Sequence, residues 1–165
     1  MTPPNVFEPD FDAESDRPGF TYRRARLGRQ AGSERLGASL YELQPGQAQW
    51  PVHYHLGNEE LLVVLSGKPT LRTPDGEREL SQGEVVALPV GERGAHQIVN
   101  RTEQPVRVLV VSEMAGPDIV VRPESGKLSA FGRAPGSPDE GMHEVFFLRD
   151  AVDFWEGEEP PEPEE

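Results

Sequence analysis

The chain has no cysteine among its 165 residues, which excludes disulfides, thiolate metal ligands and cysteine nucleophiles together. Any metal held here must sit on nitrogen and oxygen. Long apolar runs are missing too. Nothing approaches the roughly 18 consecutive apolar residues of a membrane helix, and residues 1–10 lack the basic start and apolar segment of a secretory leader, so a cytoplasmic location is expected. A basic excess is also absent. The formal charge is −13, which argues against nucleic acid and anionic membranes as partners. Eight carboxylates and no base fall in residues 150–165, so most of the excess sits in one terminal, solubilising tail. No helix-turn-helix pattern, tandem repeat or phosphate-binding loop is visible.

What remains is a series of short β-type runs punctuated by Gly, Pro and Asp, at 20–26, 36–43, 50–55, 60–66, 69–73, 77–80, 84–88, 95–100, 105–114 and 118–122. Thr73-Pro74-Asp75-Gly76 is a turn with a mechanism: Pro pre-sets one φ and Gly supplies a positive one. Residues 61–65 and 106–111 are apolar at nearly every position, which suits strands covered on both faces; a short buried helix is the competing reading, disfavoured by the valines. Many short strands with frequent turns predict an all-β, double-sheet jelly roll, that is, a double-stranded β-helix. The expected organisation is an N-terminal arm at 1–19, a barrel at 20–122, a C-terminal extension packed on it at 123–154, and an acidic disordered tail at 155–165.

Chemistry concentrates on the histidines. Residues two apart in a strand face the same way, so His53 and His55 can present two imidazoles to one point while Tyr54 turns away. Residues 56–59 read as a turn. Glu59 and Glu60 compete to add a carboxylate, and Glu60, opening the next strand, can point back at the same spot. His96, behind Gly94, can add a third imidazole. His143 lies among Gly and Asp with no partner at ligand spacing and reads as an exposed loop residue. Residues on or beside the barrel strands that could wall a substrate pocket are Tyr41, Gln49, Trp50, Arg72, Arg93, Gln97 and Met114. Gly46, Gly67, Gly83 and Gly91 read as tight-turn positions.

Gly46, His53, His55, Glu60 and Gly67 resemble the first cupin motif, and Gly83, Pro89, Gly91, His96 and Asn100 resemble the second. Six residues rather than five separate Gly46 from His53, and four rather than two separate Gly91 from His96; both departures fall in turns. The stretches 35–43, 93–97 and 117–121 are similar to a group of stand-alone bacterial cupins with no settled reaction. The resemblance selects Glu60 over Glu59. It implies one divalent ion on His53, His55, Glu60 and His96, with Fe, Mn, Ni, Co, Zn and Cu all compatible with such a donor set. It also implies a small-molecule ligand and a homodimer paired through edge strands and terminal arms.

Four protein ligands leave room on a six-coordinate ion for a chelating substrate. The expectation is therefore a metal-dependent dioxygenase, isomerase or lyase acting on a small oxygen-rich or carboxylate-bearing molecule. A non-catalytic cupin module that binds a small ligand or a metal is the alternative. A metal-free, epimerase-like cupin is the third reading, and the intact ligand set speaks against it.

Overall fold

A computed structural model describes residues 3–133 and 141–159. Its elements in chain order are β1 (Ala13–Ser15), β2 (Tyr22–Ala25), the one-turn helix α1 (Leu27–Gln30), β3 (Leu36–Leu43), β4 (Tyr54–His55), β5 (Glu60–Ser66), β6 (Thr70–Thr73) and β7 (Gly76–Glu79). There follow β8 (Val85–Leu88), β9 (Gln97–Val99), β10 (Val106–Glu113), β11 (Asp118–Arg122), β12 (Lys127–Phe131) and β13 (His143–Phe147), with 3-10 turns at Glu92–Gly94, Pro123–Ser125 and Leu148–Asp150.

Antiparallel pairing gives a six-stranded sheet in the order β1-β2-β3-β10-β5-β8, a four-stranded sheet β13-β12-β11-β4 and a three-stranded sheet β7-β6-β9. This is the expected double-stranded β-helix, with sheet facing sheet across one core. Alternation along the strands decides which side chains enter it. In β10, Val106, Val108 and Val110 are buried against Tyr41, Leu43, Leu62, Val64, Leu71 and Ile98. Leu109 faces the other way, yet it too is covered. Val6 and Phe11 from the N-terminal arm pack with Leu65 and Leu109 around Ala25, Leu27 and Leu40 on the outer face of the large sheet. That second layer explains why residues 61–65 and 106–111 could be apolar on both faces and still be strands.

Pro74-Asp75 links β6 to β7, with Thr73 paired to Gly76 at φ 123°. Gly46, Gly67, Gly83 and Gly91 all have φ between 76° and 88°, the left-handed region that a Cβ disfavours.

Three strands were not anticipated. β1 pairs with β2, and β12 and β13 extend β11 as a hairpin. Residues 145–148, expected to pack on the barrel, attach chiefly through the β12–β13 ladder, and their side chains stay exposed. His143 lies in β13 rather than in a loop, stacked on Phe131 with ring centroids 4.2 Å apart. Residues 134–140 of the expected C-terminal extension and 160–165 of the expected acidic tail lie outside the described residues. No described helix is long and apolar enough to cross a membrane.

Candidate metal centre

The residues just before β4 and just before β9 come together through a bridge between His53 and His96, whose backbone N–H groups each donate to the other's carbonyl at 3.1 and 2.9 Å. The lengthened spacer after Gly91 is taken up by the 3-10 turn Glu92–Gly94, so the insertion does not move His96 out of reach. Donor atoms of His53, Glu60 and His96 all lie within 4.8 Å of one another. The His55 Nε2 is 3.8 Å, and the His96 Nε2 3.5 Å, from the same Glu60 oxygen. Donors at about 2.0–2.2 Å from one ion stand at most about 4.4 Å apart across it, so small adjustments bring His53, Glu60 and His96 to coordination distance, while His55 stands beside Glu60 and outside that mutually close group of three.

The outer nitrogen of each ring is engaged. His53 Nδ1 meets the Pro51 carbonyl at 2.9 Å, His96 Nδ1 the Gly94 carbonyl at 2.9 Å, and His55 Nδ1 the Asp118 carboxylate at 2.6 Å. Carbonyls and carboxylates only accept, so each Nδ1 carries the proton. Each neutral ring therefore offers its Nε2 lone pair to the cluster, the arrangement that orients metal-binding imidazoles. Burial, reinforced by the neighbouring imidazoles, holds His53 well below its ordinary pKa, and burial lowers His96. For His55 burial also works against the charge, but the Asp118 hydrogen bond and the Glu60 and Asp118 carboxylates outweigh it and raise the pKa. Asp118, buried, also accepts from the Gly57 N–H at 2.8 Å; these bonds keep its pKa low despite burial. The donor set, two neutral imidazoles plus a third facing a carboxylate, fits a divalent ion on nitrogen and oxygen.

The cluster opens into a cavity of about 680 Å³ whose walls include Tyr41, Gln49, Trp50 and Met114. Arg72, Arg93 and Gln97 are placed elsewhere. On β6, Leu71 takes the core position, so Arg72 turns outward to Glu77 and Glu124, both at 3.0 Å. Arg93 is exposed on the 3-10 turn and shares with Arg72 a separate groove bordered by Tyr54. Gln97 is buried, accepting from Arg72 and donating to the Trp50 carbonyl at 2.7 Å; it braces the cavity wall from behind. Glu59 is exposed.

Residues that sequence reasoning missed are Asp118, Asn58, Arg24 and Arg122. Asn58 is buried and clamps the turn before β5, donating to the Ala115 carbonyl at 3.1 Å and accepting from its N–H at 2.8 Å. A lone Asp after Pro117 carries no spacing signal toward a histidine 63 positions earlier.

Imidazoles and a carboxylate gathered in the cavity of a double-stranded β-helix define the class of barrel to which the chain's likeness to known proteins points. Residues 39–112 match the cupin domain family, and the chain is similar to solved structures that include a cupin superfamily protein. It is similar to the crystal structure of a candidate sugar phosphate isomerase from Acidithiobacillus ferrooxidans, with 25% identity over 88% of each chain and a TM-score of 0.73. A sugar phosphate isomerase of the cupin superfamily from Silicibacter pomeroyi is 27% identical over 83% of this chain and 96% of its own, TM-score 0.70. A polyketide cyclase from Streptomyces resistomycificus is 29% identical over 68% and 79% of the two chains, TM-score 0.56. No curated protein matches the chain in sequence.

Proposed function

We propose that this cupin is a metal-dependent enzyme of the isomerase or lyase type, with one divalent ion held by His53, His55, Glu60 and His96 and a small, oxygen-rich molecule bound in the adjoining cavity. The observation that carries this reading is the approach of the His55 and His96 Nε2 atoms to one Glu60 oxygen, with His53 grouped beside Glu60 and His96 and every Nδ1 tied back. A divalent ion there would supply Lewis-acid polarisation of a substrate oxygen. The chain's own part is to hold the ligands in one tautomer, to narrow the space around the substrate with Tyr41, Gln49 and Trp50, and to keep bulk water off the buried rings. Two relatives with TM-scores of 0.70 or more are described as sugar phosphate isomerases, which favours isomerisation over the dioxygenase branch.

The test is elemental analysis of protein purified without a histidine tag or added metal, alongside His55→Ala and Glu60→Ala. One divalent ion per chain is expected in the parent. Both variants should lose metal and turnover while keeping their far-UV circular dichroism. Variants that keep full metal content and full activity would overturn the assignment. A parent that binds metal but turns over no sugar phosphate, with no activity for the variants to lose, points to the non-catalytic module. Iron together with oxygen uptake would move the reading to an oxygenase.

A further inference from the structure

Five arginines among the described residues are half-buried: Arg24, Arg26, Arg72, Arg107 and Arg122. Three are neutralised at close range, Arg26 by Asp12 at 3.2 Å, Arg72 by Glu77 at 3.0 Å and Arg107 by Glu42 at 2.8 Å. Arg24 and Arg122 have no carboxylate within salt-bridge distance among the described residues, and both line the cavity of the histidine cluster.

Their guanidinium groups are nevertheless held in place. Arg24 donates through Nε and Nη2 to the Ser39 hydroxyl at 3.1 and 2.8 Å and lies 5.3 Å from the Tyr41 ring centre. Arg122 donates through Nη1 to the Ser129 hydroxyl at 2.7 Å, and Ser129 is fully buried. A hydroxyl fixes the direction of a guanidinium without cancelling its charge, and the remaining N–H donors form a fork suited to a carboxylate or phosphate. The ladder pairs Val120 with His55 and Val121 with Tyr54; extended by one residue, it sets Arg122 against His53, at the histidine end of the cavity. Arg24 stands on β2, paired with Tyr41 across the large sheet. Partly buried cations left without a counter-ion are costly, and an anionic ligand offsets that cost. Of the carboxylates lining the cavity, Glu60 faces the histidines, while Glu34 and Glu113 are exposed.

We propose that Arg24 and Arg122 form an anion-anchoring subsite beside the histidine cluster and that it takes the phosphate group of a small phosphate monoester. This rests on the reading of the cavity as a metal-dependent substrate site and narrows its substrate class. Phosphate is preferred to carboxylate because two separately held guanidinium groups, each with donors to spare, match an anion with two negative charges and three terminal oxygens.

The test is calorimetric titration of metal-loaded and chelator-treated protein with ribose 5-phosphate, ribose and ribonate. The parent should bind ribose 5-phosphate more tightly than either of the others, by roughly tenfold or more, as expected for charge-assisted hydrogen bonds. Arg24→Gln and Arg122→Gln should each weaken that binding by a similar factor with bound metal and melting temperature unchanged, and Arg122→Lys should recover part of the loss. Arg23→Gln, which removes an exposed guanidinium, is the control and should bind as the parent does. Ribose 5-phosphate binding no better than ribose, or glutamine variants binding as the parent does, would overturn the subsite, and tighter binding of ribonate would overturn its assignment to phosphate. The two readings separate cleanly. Arginine-dependent phosphate binding in a protein that never holds metal supports the subsite and removes the metal enzyme, whereas a metal-loaded protein indifferent to the phosphate removes the subsite alone.

Discussion

The side chain that most constrains the candidate centre is not one of its four proposed ligands. Asp118, with no exposed side-chain surface, holds His55 through one oxygen and the Gly57 N–H through the other. Asp118→Asn keeps the shape and an acceptor for Gly57 but removes the charge and half of the acceptor capacity. Metal affinity is expected to fall about 10- to 100-fold, read by competition with a chromogenic chelator, while the fold persists. The histidines themselves set a pH dependence in metal-free protein. His53 and His96 lie below the 6.5 of a free imidazole, so the unfolded chain binds more protons below about pH 6.5 and stability falls on acidification. His55 acts oppositely, its contribution complete below 6.5 and lost as pH rises through its elevated value. Asp118 contributes above the ordinary carboxylate range and loses that only as pH falls through its lowered value. His53, the ring displaced furthest from its ordinary value, sets the expected sign: urea midpoints of chelator-treated protein should be lower at pH 5.5 than at pH 7.5, and equal or higher midpoints at 5.5 would contradict it. The His53-x-His55 alternation was legible because strand periodicity is a local property. Asp118 was not, because its meaning comes from a pairing of β11 with β4 that no local pattern announces.

At the level of elements, the strands from β2 to β11 could be read within a few residues, since all but β7 combine β-branched or aromatic content with a turn signal at their ends, and β7, Gly-Glu-Arg-Glu, is marked by the Pro74-Asp75-Gly76 turn before it. β1, Ala13–Ser15, could not: an acidic, three-residue segment becomes a strand only because β2 offers it a ladder. β12 and β13 were obscured by the Gly and Pro around them. Two turns decide whether the ligand-bearing segments meet. A Cβ on Gly94 would fall 1.7 Å from the Pro89 carbonyl oxygen, so Gly94→Ala must push the 3-10 turn away and carry His96 with it. Reduced metal content together with a lowered melting temperature is expected, and an alanine variant indistinguishable from the parent would show that the turn adapts freely. Gly67 combines φ 77° with a Cβ position 2.7 Å from Val106 Cγ1, where strain and overpacking add, and Gly67→Ala should cost about 2–6 kcal/mol. Leu62, fully buried between the sheets, should cost about 2–5 kcal/mol as Leu62→Ala, measured by urea unfolding.

Over the whole molecule, charge and apolar surface are unevenly distributed. Among the described residues β13 is the edge strand of its sheet, and Phe146, Phe147, Phe154 and Trp155 are exposed near or beyond it, the last two by 81% and 72%. Such an edge is suited to a second copy of the chain; sedimentation at micromolar concentration is expected to give a dimer, and a monomer would end that proposal. The cavity itself was beyond sequence reasoning. Tyr41, Gln49, Trp50 and Met114 enter it because their strands or loops face inward, whereas Arg72 and Arg93 drew attention by residue type alone and point elsewhere. The hydrogen bonds from the three Nδ1 atoms have a practical consequence at this scale. The scaffold, not the ion, fixes how the rings are turned, so dialysis against a chelator should leave a folded protein that can be refilled. One preparation can then be reconstituted with manganese, iron, cobalt, nickel, copper or zinc in turn, and the reaction compared across ions in a single unchanging frame.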